Sequence, residues 1–137
     1  MGLVAPLPAQ PPQLGRSAPG LRVLSLNLGR CERLRIGERS VLSGIGKRPV
    51  DGPVPVARLG LEGDEQADLS VHGGLDKAVY AYPAAHYAFW HAARRERKVS
   101  LFDETLPPGF MGENLTVEGL LEHDVYVGDR LHFPDCV

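Results

Sequence analysis

Apolar and polar positions divide the chain into short blocks separated by Gly, Pro and Asp. LRVLSLNLG, from Leu21 to Gly29, is brief, aliphatic and stopped by glycine, which suits a buried strand better than a helix. ERSVL, from Glu38 to Leu42, reads as a second strand. KRPVDGPVPVARLGL holds the turn pair Asp51-Gly52, but Pro49 and Pro53 each lack a ladder donor, so an edge or loop-rich hairpin is expected there. AVYAY, from Ala78 to Tyr82, alternates like a strand. Pro83 then opens AAHYAFWHAARRERK, the one stretch with helical character, whose cationic end at Arg94, Arg95, Arg97 and Lys98 complements the helix dipole. TLPPGFMGENLTVEG is a loop leading into a strand at NLTV, and DVYVGDRLHF predicts two strands joined at Gly128-Asp129. One helix among turn-separated strands predicts a mostly β (α+β) barrel or sandwich.

Five of the twelve prolines fall in residues 1–20, a stretch expected to be a disordered tail because it cannot bury enough apolar surface to offset its ordering entropy. Residues 21–137 are expected to form one domain. Hydrophobic residues make up 43% and charged residues 23%, near globular averages, and no apolar run approaches the roughly 20 residues a membrane span needs. No secretory leader is recognisable at the N-terminus, and Pro6 breaks a myristoylation pattern. Cys31 and Cys136 make neither a disulfide framework nor a paired metal knuckle, so a reducing cytoplasm is expected. Charge is uneven: Met1 to Arg58 holds nine basic and three acidic residues, Leu59 to Val137 six and fourteen.

SGIGKR, from Ser43 to Arg48, lacks the first glycine and the Ser or Thr of a phosphate loop, and reads as a plain turn. The five histidines have no zinc-ligand spacing, no nucleophile elbow is present, and the basic residues form no nucleic-acid motif. HGGLDK, from His72 to Lys77, has two readings. Gly73 and Gly74 can turn consecutive N–H groups toward an anion, with Lys77 as a mobile cation and His72 as a donor or brace; equally, the stretch can be a Gly-Gly turn with a paired lysine. GENL adds Gly112 for close backbone approach, Glu113 to orient a cation such as Lys77, and Asn114 as donor and acceptor.

Together, GDEQADLSVHGGLDKAVYAYPAAHYAFW, PPGFMGENLTVEGL and VYVGDRL resemble a MOSC domain, the fold named for the C-terminal domain of molybdenum cofactor sulfurases, and within it the small stand-alone YiiM-like branch. The resemblance runs from about Leu21 to Leu131. It implies a MOSC-type β-barrel with one main helix after the HGG strand, binding the molybdenum cofactor. Lys77 and Asn114 match the family's catalytic lysine and asparagine, and His72, Gly73, Gly74, Gly112 and Glu113 would surround the cofactor. The implied chemistry is reduction of an N-hydroxylated base to its amine, with a partner protein as electron donor and neither nucleic acid nor membrane involved. Pyridoxal phosphate is not expected.

The family's later Pro-Arg-x-Pro-Cys segment, whose cysteine ligates molybdenum, has no counterpart in GDRLHFPDCV. Cys136 lies seven residues after Asp129 in different surroundings, so no metal ligand is assigned to it or to Cys31. The C-terminal strands of the barrel are expected to be missing, leaving sheet edges and apolar faces uncovered. Three functions follow: a molybdenum enzyme completed elsewhere, a cofactor or sulfur carrier without turnover, and an inactive truncated product.

Overall fold

The computed structural model describes residues 20–71, 73–98 and 105–134. Most of the tail, His72 and Cys136 lie outside the described residues. The elements run β1 (Arg22–Leu28), β2 (Glu32–Ile36), β3 (Arg39–Ser43), β4 (Arg48–Val50), β5 (Val56–Ala57), β6 (Gly60–Leu61), β7 (Ala81–Pro83), a 3-10 turn (Ala84–His86), α1 (Tyr87–Glu96), β8 (Leu115–Glu118) and a second 3-10 turn (Glu122–Asp124). The protein is mostly β with one main helix, as its sequence predicts. Among the described residues the strands do not close into a barrel; they form one four-stranded sheet and two hairpins.

The sheet has the order β4-β1-β8-β7, with β1 antiparallel to both neighbours and β7 parallel to β8. Parallel neighbours need a long crossover, and the 3-10 turn and α1 lie on the one from β7 to β8. Leu26 of β1 faces Val50 on one side and Leu115 on the other. Between Val23 and Ser25 the β1–β8 register shifts, with Leu24 as the extra, exposed residue. Such a bulge re-aims the side chains beyond it. Asn27, three positions on, is fully buried.

Several segments differ from their sequence-based expectation. AVYAY contributes to the sheet only from Ala81, because the Tyr80 carbonyl accepts the Asn114 and Leu115 N–H groups and its own N–H goes to the Asn114 side chain. No hairpin forms around Asp51-Gly52. β4 pairs with β1 instead, and past the donor-less Pro53 and Pro55 the hairpin is β5–β6, Val56 facing Leu61. ERLRI, not anticipated as a strand, is β2 and pairs with β3 through Leu34 and Val41. DVYVGDRLHF shows no strand among the described residues. Its turn runs from Tyr126 to Asp129, closed by Asp129 N–H to the Tyr126 carbonyl at 3.0 Å. Gly128, at φ 100°, occupies the third place, where a positive φ makes a type II turn. That turn's twist does not match a two-residue hairpin.

Leu61, Leu106 and Val117 are the buried hydrophobic residues among those described, whereas Asn27, Glu113, Asn114 and Thr116 are equally buried and polar. Large apolar side chains such as Ile36, Leu59, Leu69, Phe89 and Tyr126 stay exposed. Much of the buried part of this fold is therefore a polar network, and it lies where β1 and β8 meet.

Candidate cofactor-binding site

The loop before β8 is organised by Glu113. Its fully buried carboxylate accepts Tyr87 OH at 2.5 Å, Gly109 N–H at 2.8 Å, Thr116 Oγ1–H at 2.8 Å and Met111 N–H at 3.1 Å. Each bond is charge-assisted, and together they offset the cost of burying the charge. Gly112 nearby has φ 81°, which favours glycine, and a Cβ there would also crowd Ile45 Cγ1 at 2.9 Å. Tyr87 comes from α1, and its phenol is held well above the usual range, first by burial and then by the Glu113 carboxylate. Tyr80 is also raised, first by burial and then by Tyr82, Glu113 and Glu122. Thr116 in turn accepts Asn27 Nδ2–H at 3.0 Å, and Asn27 Oδ1 accepts Ser25 Oγ–H at 2.7 Å.

Asn114, next in sequence, faces a different set of partners. Its Nδ2 donates to Asp64 Oδ2 at 2.9 Å and to the Asn27 carbonyl at 3.3 Å, while Oδ1 accepts Tyr80 N–H at 3.1 Å. Asp64 Oδ1 accepts the Lys47 ammonium at 2.5 Å and Gly29 N–H at 2.8 Å. One carboxylate thus joins the end of β1, the residue before β4 and the residue before β8. No buried side-chain nitrogen or oxygen among the described residues lacks a partner.

The HGG loop is built differently. Gly73 and Gly74 both have positive φ, and a Cβ on Gly73 would collide with the Gln66 amide. Gln66 straps the loop, accepting Gly74 N–H at 3.3 Å and donating to the Ala78 carbonyl at 3.2 Å. Lys77 is exposed and donates to the Val71 carbonyl at 3.0 Å. The expected pairing of Glu113 with Lys77 does not occur, because Glu113 is taken up by the four donors of its own neighbourhood. Lys77 and Asn114 belong to separate clusters that meet through the segment Ala78–Tyr80. Cys31 is half-buried, its N–H bonded to Glu65 Oε2 at 2.7 Å.

A family model described as MOSC domain matches residues 68–137, about half of the sequence. The chain belongs to the MOSC domain family. The match includes Lys77 and Asn114 and begins after Asn27, Lys47 and Asp64. This MOSC chain is 44% identical over 115 residues to the uncharacterized protein YflK of Bacillus subtilis, covering 84% of the chain and 48% of YflK. It is 48% identical over 95 residues to the protein YiiM of Escherichia coli, covering 69% of the chain and 40% of YiiM. A protein named reductase, from Gibberella moniliformis, is 35% identical over 119 residues, with 87% of the chain and 20% of that protein covered. The crystal structure of YiiM from Geobacillus stearothermophilus aligns with a TM-score of 0.49 at 34% identity, over 80% of the MOSC chain and 44% of that structure's chain. The chain spans about half the length of the bacterial relatives it matches.

Sequence reading missed Asn27, Lys47, Asp64 and Gln66. Asn27 carried a signal, a lone amide within an aliphatic strand. Lys47 was hidden in a stretch that reads as a turn, and Asp64 and Gln66 lay within the first block of the MOSC resemblance with no role assigned to either.

Proposed function

We propose that this MOSC chain binds the molybdenum cofactor and, given electrons by a partner protein, reduces N-hydroxylated bases to amines. The observation that carries this reading is the direct bonding of the two motif blocks: Tyr80, just after HGGLDK, exchanges hydrogen bonds with Asn114 of GEN through both backbone and side chain. The 35% identity to a protein named reductase supports the redox direction.

The donor available suits an anionic or oxo group at the reacting centre. Lys77 is an exposed ammonium with one described acceptor, leaving two N–H groups for an anion. The metal is a different matter. Among the described residues no group of three His, Cys, Asp or Glu side chains is placed to hold an ion by itself, so the metal would have to arrive with the cofactor. When bound, the cofactor supplies two-electron chemistry. In the net reaction an N–OH group takes up two electrons and two protons, its N–O bond breaks, and the amine and water leave. Lys77 steadies the departing oxygen electrostatically, and Asn114 orients the ligand through its carboxamide. No helix among the described residues is long and apolar enough to cross a membrane, and the reading sets the protein in the cytoplasm.

The test is metal analysis of chain purified from cells that make the cofactor, followed by assay of an N-hydroxylated base with an electron donor. Molybdenum bound to the chain, turnover, and loss of turnover in Lys77→Ala are expected. Bound molybdenum without turnover would identify a carrier, and absence of both would overturn the proposal.

A further inference from the structure

Asp64 and Lys47 lie outside the residues matched by the family model, yet they are the most deeply set ion pair among the described residues, with side chains 2% and 7% exposed. A buried pair with a single acceptor bond between its members is weak evidence for stability alone. Its other contacts say what it does. Asp64 Oδ1 is taken by Lys47 and Gly29, which leaves Oδ2 facing the Asn114 amide at 2.9 Å. Turning that amide over would set Oδ1 against Asp64 Oδ2 and the Asn27 carbonyl, and would set Nδ2–H against Tyr80 N–H. All three contacts would become repulsive, so one orientation is fixed.

We propose that Asp64, with Lys47 as its counter-ion, is a positioning residue that locks both Asn114 N–H bonds inward, so that Asn114 offers a ligand only the remaining lone pair of Oδ1. The chemical group that meets Asn114 is then a hydrogen-bond donor, an N–H or O–H. This rests on the reading above for Asn114 as a site residue; the locking by Asp64 does not.

Exchange of the Asn114 Nδ2 protons, followed by NMR on the full chain, separates these parts. Wild-type protons should exchange slowly, and about tenfold faster in Asp64→Asn, where an amide faces an amide. Asp64→Glu keeps the charge but shifts the carboxylate by one methylene, so it stays informative if Asp64→Asn fails to fold; about threefold faster exchange is expected. Lys47→Arg keeps the pair and should leave exchange slow. Unchanged exchange in the folded Asp64 variants would overturn the positioning role. On loading with the molybdenum cofactor, the coupling across the hydrogen bond from Asn114 Nδ2 to the Asp64 carboxylate should persist and both Nδ2 protons should stay slow to exchange; loss of that coupling would overturn the acceptor-only assignment. A wild-type chain that takes up no molybdenum would count against the proposed function, while the exchange comparison still decides the role of Asp64.

Discussion

The GEN network and the HGG loop carry similar side chains, a lysine and an amide among glycines, yet they are held in opposite ways. Around Asn114 the polar groups are buried and each has its partner; around Lys77 the ammonium is exposed, and among the described residues Gln66 straps the half-buried glycines. Burial makes the difference, because a polar group withdrawn from water must be hydrogen-bonded or cost several kcal/mol, whereas an exposed one loses little when its partner goes. The first region is therefore specified by many mutually dependent contacts. The second, among its described residues, rests on fewer contacts.

The comparison breaks most sharply at Asp64. Asp64→Ala leaves the Lys47 ammonium buried without its carboxylate and should lower stability by about 3–5 kcal/mol in urea unfolding. Lys77→Ala should stay within about 0.5 kcal/mol of wild type. Equal losses would erase the distinction between the two regions. Glu113→Gln turns one acceptor into a donor facing the donors it now binds, and about 1–3 kcal/mol should be lost in the same measurement.

Two pH effects are smaller. The Tyr87 phenol is raised in the folded protein, so its contribution is complete below about pH 10, the ordinary tyrosine value, and is lost as pH rises toward the folded value. Tyr87→Phe should flatten that alkaline fall in melting temperature. Glu122 is lowered, chiefly by its hydrogen bond from His86, so its contribution is present above the usual glutamate range and lost as pH falls through the folded value. His86→Ala should move the Glu122 carboxyl titration upward, read by NMR. An unmoved titration would show that this exposed pair does not act on Glu122.

The sequence made β1, β3, β8 and α1 legible because each is a short apolar run or a helix-forming stretch bounded by Gly or Pro. It misled over the first part of AVYAY, where the Asn114 side-chain carbonyl takes the Tyr80 N–H from 34 residues away and the Asn114 and Leu115 N–H groups take the Tyr80 carbonyl. It misled again at Tyr126–Asp129, where glycine one place along makes a different turn. Glu113 was recognised as important and given the wrong partner, since spacing says nothing of which donors converge in space. Lys47 and Asp64 are 17 residues apart and were invisible as a pair.

The contrast itself is tested most directly by backbone hydrogen exchange across the chain. Asn27, Tyr80 and Asn114, whose N–H groups bond within the network, should be the slowly exchanging amides, with Gly73, Gly74 and Lys77 exchanging faster. Protection of the HGG loop equal to or greater than that of Asn27, Tyr80 and Asn114 would contradict the account.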